Sequence, residues 1–427
     1  MSPVTLLVTL CIAQVLAMTS FANFAALLPD FVVLWDLSNT EAGWIGGIYY
    51  AGYVTAVPLL VGMTDSVDSK RIYLFSIGIG VIASLGYAVL AEGFWSAMVF
   101  RFFSGVALAG TYMPGLQILN DRLSADDRQR TLPWYLSAFS LGTAASFYMT
   151  GWFGARFEWP LVFLLAGIAQ LACLILVLTT VAPRKPNVLK TDDRHPLDFR
   201  PVFTNRAAVA YIWGYTGHTY ELFAYRAWIV AFLAFAAAVS GTVVGSEAIA
   251  TYAAVFSLVG MPASVFGAYL AMHGDRRRTV SVVMGVSVIM GCSLGFLGAA
   301  PFMLVVLIAG LYSGFIMGDS AALTGGTVAA ARDGERGATL AMHSVWGFSG
   351  GFLGPLMVGL VLDLAGGRHS TVGWGLAFVT MAAGSLLALA GLRGLLARAA
   401  RSAGSVCGTA VLKQQVRLRR EVVFESS

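Results

Sequence analysis

The sequence predicts an all-α polytopic membrane protein, with twelve transmembrane helices in two pseudo-symmetric six-helix bundles and both termini in the cytoplasm. The first observation is composition: 58% of the 427 residues are apolar and 11% are charged, whereas a soluble protein carries roughly a quarter charged residues. The second is that the apolar residues form twelve long stretches, and the third is that basic residues lie mostly on one side of them. A soluble enzyme is excluded, because one aqueous core cannot bury so much apolar surface.

The twelve predicted spans are numbered span 1 to span 12 in chain order. Each holds about 18 to 25 mainly apolar residues, the length of helix that crosses a hydrocarbon core of roughly 30 Å. Span 1 is not expected to be a cleaved signal peptide, because no basic segment precedes it and its apolar run continues to Leu28. The spans begin near Val4, Gly43, Ile72, Trp95, Leu132, Leu161, Ala207, Ile249, Val280, Phe302, Thr339 and Trp374.

Lysine and arginine residues determine the predicted orientation, because cytoplasmic loops are enriched in these two residues. With the N-terminus in the cytoplasm, 23 of the 27 basic residues lie on the cytoplasmic side. Only Arg156 and Arg368 lie outside, and Arg101 and Arg226 lie within spans. The C-terminus is then cytoplasmic as well, which requires an even number of spans.

A long polar segment divides the chain into two halves. Residues 183–206 are predicted to form a central cytoplasmic loop between a six-helix bundle of residues 1–182 and a second bundle of residues 207–396. Residues 397–427 form a basic cytoplasmic tail, which either lies on anionic lipid as an amphipathic helix or is solvated.

The two halves carry matching basic residues in their inner loops. Lys70 and Arg276 are 206 residues apart, and so are Arg71 and Arg277. A constant offset of this kind indicates an internal duplication, on which many secondary transporters are built.

The loop between spans 2 and 3 carries a motif. Residues 62–71 are G-M-T-D-S-V-D-S-K-R, with Asp65 followed by the basic pair Lys70 and Arg71. This segment resembles the G-x-x-x-D-R-x-G-R-K loop of the major facilitator superfamily, although Ser66 and Asp68 replace an Arg and a Gly of that pattern. The basic pair also agrees with the general enrichment of cytoplasmic loops in Lys and Arg.

Three further segments support the resemblance. The copy of the loop motif in the second half, residues 267–278, keeps both glycines and the basic end but has Ala271 in place of the acid. Span 4 contains R-F-F-S-G at residues 101–105, and span 11 contains G-G-F-L-G-P at residues 350–355 and ends at Asp363. The resemblance extends through span 12 and implies the superfamily fold, with conformational gating by Asp65, Lys70, Arg71, Arg276, Arg277, Gly105, Gly354 and Pro355.

Ionisable residues inside predicted spans are costly and therefore mark candidate functional sites. Glu221 in span 7 and Asp319 in span 10 lie near the middle of their spans, where either could bind and release a proton during transport. The alternative is a fixed ion pair with Arg101 or Arg226 that holds helices together. The candidates for substrate binding or proton coupling are Glu221, Asp319, His218, Arg101, Arg226, Asn23 and Tyr53, whereas His343 could be interfacial.

Span 7 is the most informative segment. Tyr211, Tyr215, His218, Glu221 and Tyr225 recur at spacings of three and four residues and so share one helix face. Two glycines, at positions 214 and 217, would allow a bent or broken helix. Arg226 lies about 140° around an ideal helix from Glu221, so these two residues are not expected to pair with each other.

The sequence therefore predicts a secondary transporter that moves a small molecule or ion by alternating access, with proton coupling, in a bacterial inner membrane. It is expected to work as a monomer in the lipid bilayer, without a cofactor or metal, and without a nucleic-acid partner. Two substrate classes remain open: a small organic anion that engages Arg101 or Arg226, and a cationic or lipophilic solute that engages Glu221 and Asp319.

Two other functional classes are compatible with a multi-span protein. The alternative to transport is a sensor or assembly protein that keeps the fold without moving a solute, and the departures of the loop motifs from the family pattern leave this class open. A membrane enzyme is disfavoured, because the five histidines form no HxxxH or HxxH pair that could bind a metal.

Overall fold

In the computed structural model, residues 1–184, 200–332 and 335–424 are described, without the side chains of Asp65, Gln129 and residues 398–424. All regular structure within these residues is helical. Most of the predicted central loop, residues 185–199, lies outside the described residues, and so does the side chain of the predicted gating residue Asp65.

Helices follow one another along both halves of the chain. Within residues 1–184 they are α1 (Pro3–Ala17), α2 (Asn23–Ala26), α3 (Leu28–Leu34), α4 (Asn39–Gly62), α5 (Ser69–Leu90), α6 (Phe94–Arg122), α7 (Ala125–Gly154) and α8 (Trp159–Thr180). Within residues 200–332 and 335–424 they are α9 (Arg200–Thr204), α10 (Arg206–Val239), α11 (Ser246–His273), α12 (Arg276–Leu294), α13 (Phe302–Gly318), α14 (Ser320–Ala330), α15 (Arg336–Leu364) and α16 (Thr371–Phe424).

Ten helical segments among the described residues are long and apolar enough to cross a membrane. They include α4, α5, α6, α8, α10, α11 and α15, together with the combined segment of α13 and α14. The outward faces of these helices expose large apolar side chains such as Ile82 and Val265, which suits contact with lipid. The prediction of an all-α, multi-span membrane protein is confirmed, whereas the count of twelve spans and the orientation stay predictions.

The helix starts follow local sequence signals. Ser38 and Glu41 form a capping box at the start of α4, in which each side chain accepts a backbone N–H of the other residue. Asp68 caps α5 and Asp275 caps α12 by accepting backbone N–H groups. These two aspartates are 207 residues apart, so the helices after the two duplicated loops begin at nearly the positions that the repeat predicts.

The helix breaks do not lie where the glycines of span 7 suggested. The helix α10 is continuous over its 34 residues, and its glycines instead allow close packing: a Cβ at position 214 would meet Leu323, and one at position 217 would meet Ala388. Span 1 is interrupted between α1 and α2, at residues 18–22, and span 10 is interrupted at Asp319, between α13 and α14. The glycines of span 7 therefore do not break the helix.

The two halves of the chain meet chiefly through two helix pairs, α4 with α15 and α7 with α11. Small residues allow these close approaches: a Cβ at Gly43 would collide with the backbone of Pro355, and one at Gly359 would collide with the backbone of Asn39. The short helices α2 and α3 also contact α10 across the same boundary. These contacts place span 1, α4 and α10 around the centre of the molecule.

Candidate functional site

A cavity lies between the two halves of the chain. Its lining comes from residues 21–28, α4, α6 and α7 of the first half and from α10 of the second half. Most of the lining is apolar or aromatic, and its charged members are Arg101 and Arg226. Each half therefore contributes one guanidinium group to a shared site.

Arg101 is held in place by groups of the first half. Its side chain is 5% exposed, and its Nη1 donates to the carbonyl oxygens of Ser20 and Phe21 at 3.3 Å each. The guanidinium carbon lies 4.4 Å from the centre of the Tyr49 ring, a cation–π contact. The Nε atom has no hydrogen-bond partner among the described residues, so Arg101 retains donors for a further group.

Arg226 is buried as well, at 6% exposure, but has fewer contacts. Its guanidinium carbon lies 5.8 Å from the centre of the Phe223 ring. No hydrogen bond or ion pair of this side chain occurs within the described parts of the chain. Both Arg226 and Arg101 interact electrostatically with Tyr50, which lines the same cavity, so the two cations share one environment.

The interruption of span 1 explains why carbonyl groups are available to Arg101. Residues 18–22 are not helical, so their backbone groups lack the usual partners within a helix. Ser146 on α7 donates to the carbonyl of Thr19 at 2.8 Å and accepts the N–H of Ala22 at 2.9 Å. A side chain of α7 thus stabilises the break, and the remaining carbonyls hold Arg101.

Glu221 lies inside the second half and does not line the cavity. Its Oε1 accepts hydrogen bonds from the hydroxyls of Ser287 at 2.9 Å and Tyr312 at 2.6 Å, and its Oε2 accepts one from Ser385. The carboxyl group is 1% exposed, so it is enclosed by hydroxyl groups from α12, α13 and α16. The alternative of a fixed ion pair between Glu221 and Arg101 or Arg226 is not found among the described residues.

Asp319 and His218 form a second buried site in the same half. The Nδ1 of His218 lies 2.7 Å from Oδ1 of Asp319, although the angle departs from that of a regular hydrogen bond. Asp319 occupies the break between α13 and α14. The carboxylate of Asp319 also interacts electrostatically with Glu221, so the two predicted coupling carboxyls are neighbours.

An aromatic stack extends this site along α10 to His343. The Tyr215 ring lies 5.4 Å from the His218 ring and 3.9 Å from the His343 ring. The ring nitrogens of His343 lie 3.3 Å and 3.2 Å from the hydroxyls of Thr324 and Thr327. The His343 side chain is buried at 5% exposure, and its place at the membrane interface stays a prediction.

Asn23 and Tyr53 are both fully buried but do not line the cavity. The Oδ1 of Asn23 accepts a hydrogen bond from Thr150 at 2.7 Å, and its Nδ2 has no partner among the described residues. The Tyr53 ring stacks on Phe348 at 3.9 Å between ring centres. Asn23 therefore joins α2 to α7, and Tyr53 joins the two halves.

Polar contacts join the two halves at the end of the molecule where α4 begins and α15 ends. Asp363, the last acidic residue of α15, accepts the backbone N–H groups of Asn39 and Thr40 at 3.1 Å and 2.8 Å and so caps α4 from the other half. At the same end, Nη1 of Arg156 lies 2.8 Å from Oε2 of Glu247. We call these two contacts the end latch.

Sequence reasoning missed the end latch. Asp363 was identified only as the end of the span 11 motif, and nothing in one sequence pairs it with α4. The available signal was the capping box at Ser38, which places the start of α4 and its free N–H groups at this end.

At the opposite end, Asp68 is the acidic residue that organises the loop after α4. Burial disfavours its charged form, but backbone N–H groups of Arg184 and Lys70 and the guanidinium of Arg122 outweigh burial, so the pKa of Asp68 lies below its usual value. The carboxylate oxygens of Asp68 lie 2.8 Å from the backbone nitrogen of Arg184, 3.1 Å from that of Lys70 and 3.1 Å from Nη2 of Arg122. In the sequence Asp68 is only a departure from the family motif, and nothing there indicates these contacts.

The predicted gating cations of this end make contacts within their own halves. The Nζ of Lys70 donates to the carbonyl of Leu178 at 2.9 Å, and Arg71 is exposed. Arg277 donates to the carbonyl of Arg393 at 3.5 Å, and Nε of Arg276 has no partner among the described residues. No described contact of these four side chains joins the two halves.

The predicted gating glycines are points of close helix crossing. A Cβ at Gly105 would collide with the Tyr49 carbonyl on α4, and one at Gly354 would collide with the Tyr220 carbonyl on α10. The carbonyl of Pro355 accepts a hydrogen bond from the indole of Trp228 at 3.0 Å. These residues set the distances between the helices that surround Arg101 and Arg226.

Comparisons with known proteins agree with this architecture. A family profile described as Major Facilitator Superfamily matches residues 10–355. Protein spinster homolog 1 of Homo sapiens is 24% identical over 314 residues, which cover 70% of this chain and 59% of that protein. Probable sphingolipid transporter spinster homolog 2 of Arabidopsis thaliana is 24% identical over 212 residues, which cover 45% of this chain and 44% of that protein. The chain thus spans 59% and 44% of the lengths of these relatives.

Solved structures show the same fold. A bacterial homolog of the human lysosomal transporter Spinster, in an inward-facing and occupied conformation, superposes with a TM-score of 0.75 at 15% identity, over 92% of this chain and 97% of that chain. A D-xylose–proton symporter gives a TM-score of 0.74 at 14% identity, over 91% and 97% of the two chains. The resemblance inferred from the loop motifs is confirmed, and the fold and family are those of transporters rather than of enzymes.

Proposed function

The chain belongs to the major facilitator superfamily, and from this premise we propose that it is a secondary transporter that carries a small solute across a membrane by alternating access. The observation that carries the proposal is the central cavity, because both halves line it and each supplies a buried arginine. A solute bound there would leave on either side when the halves rock against each other.

The proposal includes the finer architecture that the sequence predicts. It has twelve spans, with α1 to α3 together as span 1 and α7 as span 5, and with both termini in the cytoplasm of a bacterial inner membrane. Residues 1–182 and 207–396 then form the two rocking bundles of a monomer, with residues 183–206 as the loop between them and residues 397–427 as the tail.

In this orientation the end latch lies on the outer side of the membrane. Asp363, Arg156 and Glu247 then close the cavity to the outside, and the contacts between Gly43 and Pro355 lie just beneath them. The state described here is therefore the one closed to the outside. Opening to the outside requires separation of α4 from α15 and of α7 from α11.

We assign proton coupling to the carboxyl groups inside the second half. Glu221 is enclosed by hydroxyl groups, and Asp319 contacts His218, so each group has partners that can accept or donate a proton. Both sites adjoin α10, the helix that also carries Arg226 into the cavity. A proton that enters or leaves this region can therefore change the packing of the helix that holds the solute.

The test is solute-dependent proton movement in liposomes with an imposed pH gradient and a pH-sensitive dye. Pools of small anions, cations and uncharged solutes are added to wild type, to Glu221→Gln and to Glu158→Gln. Glu158 is an exposed residue without a side-chain capping bond, so its variant controls for loss of a carboxylate. We expect proton movement in wild type and in Glu158→Gln and at least a tenfold lower rate in Glu221→Gln.

Two results would contradict the proposal at different levels. Solute flux without proton movement in wild type would remove proton coupling and leave transport. Solute binding without flux of any solute would remove transport and favour a sensor or assembly protein with this fold.

A further inference from the structure

We propose that the solute is an amphipathic organic anion whose acidic group is bound between Arg101 and Arg226 and whose apolar body contacts the aromatic wall of the cavity. This inference rests on the proposed function, since it names the class of solute that the central cavity takes. It also chooses between the anionic and cationic solutes that the sequence left open.

The charge balance of the cavity supports an anion. Arg101 and Arg226 are 5% and 6% exposed, and no Asp or Glu occurs among the residues that line the cavity. Burial of a cation without a counter-charge is unfavourable, so two such cations in one cavity favour an anionic ligand. A cationic solute would add to the positive charge and is disfavoured.

The carboxylates that could have neutralised the arginines are engaged elsewhere. Glu221 accepts hydrogen bonds from three hydroxyl groups, and Asp319 lies against His218. Both residues lie within the second half and neither lines the cavity. The observation that had kept a cationic solute open, two carboxylates near mid-membrane, therefore does not apply to this site.

The free hydrogen-bond donors point to an acidic group in particular. A guanidinium group presents five N–H donors in a planar fork that matches carboxylate and phosphate oxygens. Arg101 uses Nη1 for two carbonyls and leaves Nε without a partner, and Arg226 has no hydrogen bond among the described residues. Both side chains are more than nine-tenths buried, so these donors are available to a group inside the cavity.

The rest of the lining predicts the remainder of the solute. Phe24, Leu28, Phe147 and Trp228 present apolar surface to the same cavity. A small inorganic anion would leave this surface without contacts, whereas an apolar body would bury it, which is favourable.

Binding of one acidic group by both arginines would also link the two bundles. Arg101 belongs to the first half and Arg226 to the second. An anion that contacts both arginines attracts a cation of each half, so it favours approach of the halves around the solute. The solute then contributes directly to the rocking equilibrium.

The test is calorimetric binding to the full chain in phosphatidylcholine nanodiscs. The probes share one apolar body and differ in charge: phenylacetate and phenyl phosphate as anions, 2-phenylethanol as the neutral probe and 2-phenylethylamine as the cation. We expect the anions to bind at least tenfold more tightly than the neutral probe and the cation not to bind.

Variants connect this binding to the two arginines. Arg226→Gln and Arg101→Gln are each expected to weaken anion binding by about 10- to 100-fold, and Arg226→Lys by less, because it keeps the charge but loses the fork. Arg368→Gln removes an arginine from the loop after α15, outside the cavity lining, and is expected to bind like wild type. If either glutamine variant of the cavity does not fold, Arg226→Lys and the probe series still test the inference.

A further arm distinguishes a soluble anion from an acidic lipid headgroup. Nanodiscs that contain phosphatidylglycerol are compared with nanodiscs of phosphatidylcholine alone. If phosphatidylglycerol weakens phenylacetate binding in wild type but not in Arg226→Gln, the acidic group comes from the bilayer. If phosphatidylglycerol leaves phenylacetate binding unchanged in wild type, the acidic group comes from water. Either result supports an acidic group between the arginines.

Other outcomes overturn the inference. Equal binding of the neutral probe, binding of the cation, or unchanged anion binding in Arg226→Gln would each do so. Proton flux driven only by cationic or uncharged solutes would also overturn it while leaving the proposed transport function intact. Anion binding at the arginines without any flux would retain the site and remove the transport function.

Discussion

At the scale of single residues, Asp68 shows how one carboxylate can stabilise a loop that positive charges dominate. It caps α5, pairs with Arg122 and accepts the backbone N–H of Arg184. The contacts join the start of α5 to the ends of α6 and of the segment after α8. The loop is thereby fixed within the first half.

Asp68→Asn is expected to lower the free energy of unfolding by about 1–3 kcal/mol at neutral pH, since a buried hydrogen-bonded charge is lost. The pKa of Asp68 is lowered in the folded protein, so its stabilisation is complete above the unfolded pKa of about 3.9 and is lost as the pH falls through the lower folded pKa. Thermal unfolding in detergent from pH 7 to pH 3 measures the difference between variant and wild type. A difference that grows as the pH falls would contradict this role.

His218 and Asp319 are predicted to depend on each other. Loss of one of these two buried side chains leaves the other polar group without a partner, which typically costs about 1–3 kcal/mol. We expect Asp319→Asn and His218→Gln each to destabilise the protein, and the double variant to be less destabilised than the sum of the two. The measurement is a double-mutant cycle on the free energy of unfolding. Additive changes in the free energy of unfolding would show that the contact between His218 and Asp319, at 2.7 Å, contributes no interaction energy.

At the scale of helices, the end latch depends on a helix start in one half and a helix end in the other. The first N–H groups of α4 have no partners within the helix, and Asp363 of α15 satisfies two of them. The interaction combines hydrogen bonds with the favourable effect of a negative charge at a helix N-terminus. Its loss should therefore favour the state that is open at this end.

Asp363→Asn is expected to increase access to the cavity from the end-latch side. Ala25 lines the cavity and offers a reporter position, so Ala25→Cys is combined with Asp363→Asn and labelled with a membrane-impermeant maleimide. Weakening of the latch by about 1–2 kcal/mol would raise the labelling rate roughly 5- to 30-fold. Asp36→Asn, at an exposed residue between α3 and α4, is the matched control. Equal labelling rates in the two variants would refute the latch.

At the scale of the whole molecule, the class of fold could be predicted from the sequence because it depends on properties averaged over long segments, such as hydropathy and charge. Apolar stretches and the distribution of basic residues define a multi-span helical protein, and the loop motifs point to the family. The contacts between the halves were not predictable, since they depend on how α4 meets α15 and α7 meets α11. The helix breaks at residues 18–22 and at Asp319 were missed for a related reason, because side chains of other helices stabilise them.

The candidate site was predicted in composition but not in arrangement. Arg101, Arg226, Glu221 and Asp319 were all identified from the cost of placing charge in lipid. The sequence also indicated that Arg226 and Glu221 do not pair with each other, because the angle between two residues on one helix depends only on their spacing. The sequence could not show that the arginines face a shared cavity while the carboxylates lie inside one half, since that distinction requires the packing of four further helices.

Alternating access predicts that a covalent link between the halves stops transport. A Cβ at Gly46 on α4 would lie 3.7 Å from the Cβ of Ala227 on α10, which is within the range of about 3.5–4.5 Å found in disulfides. Gly46→Cys with Ala227→Cys should therefore form a disulfide on oxidation. We expect transport to stop on oxidation and to return on reduction, while each single variant stays insensitive to oxidant.

The matched control places the same kind of link within one half. A Cβ at Gly80 on α5 would lie 3.2 Å from the Cβ of Ala107 on α6, so a small outward shift brings the pair into the same range, and both helices belong to the first half. If the bundles move as units, the Gly80→Cys and Ala107→Cys pair should cross-link on oxidation and continue to transport. Transport that survives the link between α4 and α10 would show that solute crosses without separation of the halves. Transport that stops with both links would show that the first half itself changes shape during the cycle.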